Sequence, residues 1–70
     1  MMKEVATIRF TEMETASEAL AIIRYDRTSV AVCFSVESNG DIELVMRNDD
    51  ARALIEALKK AVEGHGEKDG

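Results

Sequence analysis

The chain has 70 residues, 14 acidic and 9 basic, with a net charge of −5; this balance argues against a footprint for duplex DNA or anionic lipid. A domain this short buries only about 60% of the surface it exposes when unfolded. Its one cysteine and one histidine provide neither an internal disulfide nor a ligand set with zinc spacing. Self-association is the remedy left, and a homodimer is the first expectation.

The opening "MMKEVATIRF" has no apolar run of signal-peptide length, and no segment approaches the roughly 20 residues of a membrane span. A cytoplasmic protein, without membrane contact, is the expected default. "EVATIRFT" alternates around Ala6, Ile8 and Phe10 and predicts a first strand. "TASEALAIIRYD" is ambiguous. Thr15 and Glu18 have capping-box spacing, which would start a helix. Ile22, Ile23 and Tyr25 instead cluster ahead of the turn-like "DRTS", and favour a strand from about Glu18 to Asp26. "VAVCFSVE" and "DIELVMR" follow as two strands around a Ser38-Asn39-Gly40 tip. "NDDARALIEALKKAVEG" then places Ala51, Leu54, Ile55, Leu58, Ala61 and Val62 on one helical stripe. Asn48 or Asp49 offers the N-cap, and Asp49 and Asp50 suit the positive end of the helix dipole. Arg52–Glu56, Glu56–Lys60 and Lys59–Glu63 are spaced to pair on the outer face, and Gly64 supplies the stop.

The expected fold is therefore α+β: a four-stranded antiparallel sheet, β-β-β-β-α, with one C-terminal amphipathic helix packed on one face. Residues 1–64 form the single domain and 65–70 a flexible polar tail.

Strand register decides which side chains share a face, because a slip of one residue moves them all to the other side. A two-residue Asn39-Gly40 turn would oppose Phe34 to Val45 but also Val36 to Glu43 and Val32 to Arg47. A three-residue Ser38-Asn39-Gly40 loop pairs Val36–Ile42, Phe34–Leu44 and Val32–Met46, all apolar and suited to cover by the helix stripe. It also puts Gly40 where a left-handed residue is wanted. The three-residue loop is favoured. In the preceding hairpin, pairing Tyr25 with Val30 aligns Ile23–Val32 and Ala21–Phe34 and sends Arg24 outward opposite Ala31. The neighbouring register would bury that guanidinium unpaired.

The face away from the helix then reads in rows: Arg24, Ala31, Arg47; Ile22, Cys33, Val45; Leu20, Ser35, Glu43; and Glu18, Glu37 with Asp41. It would run from basic through apolar to acidic, a self-complementary gradient under a two-fold axis. Leu20, Ile22, Arg24, Cys33, Glu43, Val45 and Arg47 are the expected dimer or partner interface. The competing arrangement covers this face within one chain, through the segment holding Met13.

Other motifs have plainer readings. "SNGD" and "NDD" lack the flanking helices of a calcium-binding helix–loop–helix. Cys33 lies mid-strand in apolar company, unlike a reactive thiol, and His65 lies in the tail. No phosphate-cradling loop or nucleophile elbow occurs. No enzyme, metal or cofactor is expected. Arg9, Arg24 and Arg47 could form a local basic strip, and four strands followed by one helix are similar in layout to the positive-cofactor family of dimeric single-strand DNA binders. That resemblance implies single-stranded nucleic acid as an alternative partner. The family's basic, aromatic-studded face is not visible here, since Phe10, Phe34 and Tyr25 are the only aromatics. An acidic inhibitor imitating nucleic acid, using Asp49, Asp50 and Glu56, is the other alternative. The leading expectation is a small non-enzymatic, homodimeric protein-binding or regulatory domain.

Overall fold

A computed structural model describes residues 2–64, so the expected tail 65–70, with His65, lies outside the described residues. Alternating apolar residues build strands β1 (Lys3–Glu12), β2 (Ser17–Tyr25), β3 (Ser29–Val36) and β4 (Gly40–Arg47), and helix α1 spans Asn48–Gly64. The strands form one antiparallel sheet in the order β1-β2-β3-β4, and the helix packs against it, chiefly at β3 and β4. The α+β architecture is the one the periodicities imply.

The ambiguous segment is strand β2. Thr15 caps no helix; it folds the β1–β2 turn. Its hydroxyl donates to Glu12 Oε1 at 2.6 Å, its N–H donates to the same atom at 2.9 Å, and the Glu14 N–H donates to Oε2 at 3.1 Å. These donors, the Thr15 hydroxyl foremost, hold the Glu12 carboxyl below its ordinary value. Ala16 closes this turn at φ +59°, a left-handed conformation that its Cβ resists. Relief of about 1–2 kcal/mol of strain outweighs the roughly 0.4–1 kcal/mol of extra unfolded-state freedom that glycine brings. Ala16→Gly should therefore stabilise the fold by about 0.5–1 kcal/mol, read as a higher urea midpoint at unchanged slope.

The β2–β3 turn is organised by Asp26. Its Oδ1 accepts from the Ser29 hydroxyl at 2.8 Å, the Ser29 N–H at 2.9 Å and the Thr28 N–H at 3.0 Å. The carboxyl is held below its ordinary value by these bonds, that from the Ser29 hydroxyl first. The strands it joins pair as expected: Tyr25 with Val30, Arg24 with Ala31, Ile23 with Val32 and Ala21 with Phe34.

The β3–β4 hairpin departs from expectation. The loop has three residues, but they are Glu37, Ser38 and Asn39, and Val36 pairs with Gly40. The Asn39 N–H closes the turn on the Val36 carbonyl at 3.0 Å, and Gly40 takes φ +87° as the first residue of β4. Phe34 thus faces Ile42, Val32 faces Leu44 and Val30 faces Met46. The strand sits two residues from the expected register. A two-residue shift keeps every side chain on its face, so the sorting of apolar from polar residues survives while every cross-strand neighbour changes.

The interior is small. Among the described residues only Ala19, Ala21 and Ala31 are buried, and no large side chain is fully enclosed. No helix residue is buried. The expected cover of the apolar face by the helix stripe is incomplete: Ile42 and Leu44 stay 57% and 55% exposed. The cause lies at the junction. Strand β4 ends at Arg47 and α1 begins at Asn48, with no connecting residue. Reversals between a strand and a helix ordinarily take about 2–6 residues, so this abrupt junction leaves the helix little room to fold back fully over its sheet. The radius of gyration is accordingly 13.9 Å, where a compact chain of this length has about 11 Å.

The helix N-terminus is tied to the β2–β3 turn by the Asn48 side-chain amide, which donates to the Arg27 carbonyl at 3.5 Å. Arg52 pairs with Asp49, one turn back, at 2.9 Å instead of with Glu56. This choice places the cation against the acid of the first turn.

Candidate functional site

The sheet presents two faces of different chemistry. One carries the rows Ile8–Ala21–Phe34–Ile42, Ala6–Ile23–Val32–Leu44, Phe10–Ala19–Val36–Gly40 and Lys3–Tyr25–Val30–Met46. Apart from Lys3 at one corner and the Tyr25 hydroxyl, every side chain in these rows is apolar. A sheet with one solvated face alternates apolar-in and polar-out, and by that rule this is the face that should be covered. Ile8, Phe10, Phe34, Ile42 and Leu44 are nevertheless all exposed. The stripe of α1 is equally open, with Leu58 56% and Val62 69% exposed. Ile55, Leu58 and Val62 line a shallow apolar hollow along it.

The opposite face carries Arg9–Leu20–Ser35–Asp41, Thr7–Ile22–Cys33–Glu43 and Glu4–Arg24–Ala31–Val45, with Arg47 beside Ser29. All seven expected interface residues, Leu20, Ile22, Arg24, Cys33, Glu43, Val45 and Arg47, share this face. Their rows are corrected by the register. Glu43 joins Ile22 and Cys33 where Val45 was expected, and Val45 joins Arg24. Arg24 Nη2 then reaches Glu43 Oε2 at 3.2 Å, so charges assigned to opposite ends of a gradient meet within one chain. Ser35 donates its hydroxyl to Asp41 Oδ1 at 2.8 Å. Leu20, Ile22 and Cys33 are half-buried beneath these polar neighbours. The face is mixed rather than graded.

Met13 does not cover it. That residue stands at the β1–β2 turn, 90% exposed.

The basic strip is also dispersed. Arg9, Arg24 and Arg47 occupy three different rows, and Arg24 is paired. Phe10, Tyr25 and Phe34 lie on the other face, so aromatic stacking and cationic contacts point in opposite directions. Single-strand binding combines the two in one groove.

Cys33 is a free, half-buried thiol. Among the described residues no cluster of three or more His, Cys, Asp or Glu side chains is arranged to hold a metal ion, and no helix is long and apolar enough to cross a membrane. A hollow at the end of the sheet is lined by Lys3, Tyr25, Asp26, Arg27 and Thr28. The Asp26 carboxylate there is already committed to its turn.

Compared with protein-family models, curated proteins and solved structures, the chain matches none. Its functional reading rests on its own two faces.

Proposed function

We propose that this protein is a non-enzymatic binding domain that works as a homodimer. Its apolar sheet face makes the dimer. The mixed face, bearing Leu20, Ile22, Arg24, Cys33, Glu43, Val45 and Arg47, meets a protein partner. The observation carrying this reading is the run of exposed Ile8, Phe10, Phe34, Ile42 and Leu44 on one face of a chain whose only buried residues, among those described, are three alanines. Contiguous apolar patches of this kind mark association surfaces. Three alanines give too little burial to hold a 70-residue chain alone. The mixed face suits a second, reversible contact: a half-buried apolar centre rimmed by charges that tune specificity and encounter rate more than affinity.

Sedimentation equilibrium tests the first step. The wild-type chain should sediment at twice its 7.7 kDa mass at micromolar concentration. A species of 7.7 kDa under those conditions overturns the reading.

A further inference from the structure

We infer that the apolar face of each sheet is covered by helix α1 of the second copy, so that the dimer forms by reciprocal exchange of helices. This rests on the dimeric reading above and names what occupies the open face. Each chain carries both halves of such a contact, an exposed apolar sheet face and an exposed apolar helix stripe, and brings its own halves together only in part. The direct passage from Arg47 to Asn48 leaves little room for a fuller reversal. A helix that meets its own sheet only at β3 and β4 and buries none of its residues there is free to extend over the strands of a neighbour. A two-fold axis then satisfies both chains with one arrangement, each giving a helix and receiving one.

Dimensions agree. The 17 residues of α1 make a rod about 25 Å long, and the eight-residue strands β3 and β4 extend about 26 Å. One helix can therefore run the length of a neighbour's strands. The stripe of Ala51, Leu54, Ile55, Leu58, Ala61 and Val62 occupies one side of the helix, while Arg52, Glu56, Lys59, Lys60 and Glu63 occupy the rest. A helix with one apolar side belongs on one sheet, its charged side in water. Two sheets packed directly face to face would instead leave both helix stripes exposed.

The surface is large for the mass. The chain exposes 5686 Å², whereas a compact monomer of its 7.7 kDa mass exposes about 4,300 Å². An open sheet face and an open helix stripe are in keeping with that excess.

Single-thiol cross-linking tests the exchange in the full-length chain. On a Cys33→Ser background, one preparation carries Leu58→Cys and a second carries Leu44→Cys or Phe34→Cys. The two are refolded together, oxidised and resolved by mass. Each chain then holds one thiol, so every disulfide joins two copies, and the bond forms only where Cα atoms approach to about 4.4–6.8 Å. Exchange requires the mixed helix-to-sheet disulfide to dominate over either symmetric product. Dimers that give chiefly the symmetric sheet-to-sheet product, or no mixed disulfide from either sheet position, overturn the exchange and leave the dimer standing. A wild-type chain that sediments as a monomer overturns both.

Discussion

Replacing Leu44 by aspartate should dissociate the dimer, whereas the same change at Val45, the next residue along β4, should leave it intact. The two side chains point to opposite faces of the sheet. Leu44 stands beside Val32 among apolar rows, and Val45 stands opposite Ala31 in the row that holds Arg24. Covering a leucine contributes about 1.5–3 kcal/mol, and an unpaired carboxylate pressed into that surface costs more again. Two-fold symmetry counts each substitution twice. A total of at least about 5 kcal/mol per dimer corresponds to a dissociation constant raised more than about 1000-fold. Val45 is 63% exposed on the face away from the proposed contact, so the effect of an aspartate there on the dimer should fall within about 0.5 kcal/mol. Sedimentation of both variants reads the comparison directly. The reverse outcome, with Val45→Asp dissociating and Leu44→Asp not, would assign the dimer to the face of Leu20, Ile22 and Cys33.

Thermal stability should depend on protein concentration. Where the monomer has little core of its own, unfolding and dissociation are one event, and mass action enters the midpoint. A tenfold dilution then removes about 1.4 kcal/mol per dimer. Unfolding two 70-residue chains releases about 0.3 kcal/mol/K of entropy, so the midpoint should fall by about 5 °C for each tenfold dilution. Circular dichroism over a hundredfold concentration range measures this. A midpoint that does not move would mean that the isolated chain holds itself together, and that the open apolar face contributes nothing to folding.

Much of this architecture was legible in the residues. Period-two alternation located the strands, and the cost of burying Arg24 chose the β2–β3 register that is observed. Hydrophobic patterning separates registers that differ by one residue because the faces exchange. It is indifferent between registers that differ by two. That is why the sorting of Phe34, Ile42 and Leu44 from Cys33, Glu43 and Val45 held while their pairing did not. The register was settled by the turn, where the Asn39 N–H reaches Val36 and Gly40 accepts a positive φ, and sequence spacing alone does not rank these. The misplaced pairing in turn hid the Arg24–Glu43 contact and made the mixed face look graded. The uncovered apolar face was missed for another reason. An amphipathic helix announces that its stripe will be covered but not by which chain. The signal was present, in retrospect, as the immediate passage from "VMR" to "NDDAR" with no turn residue between strand and helix.

Strand β1 has a consequence for how the protein avoids unlimited assembly. It is a ten-residue strand at the edge of the sheet, and the chain contains no proline to interrupt it. An open edge of that length is a template on which further copies can add strand by strand. Its ladder to β2 is broken between Glu4 and Ala6, with Val5 as the extra residue. Such an irregularity bends the strand and increases its local twist. Lys3 and Glu4 are thereby carried out of line with the run from Ala6 to Glu12, and that run carries Arg9 near its middle. An incoming copy would meet a bent ledge with a charge on it. Strand addition is thus hindered at the β1 edge, while the broad face stays open to a partner.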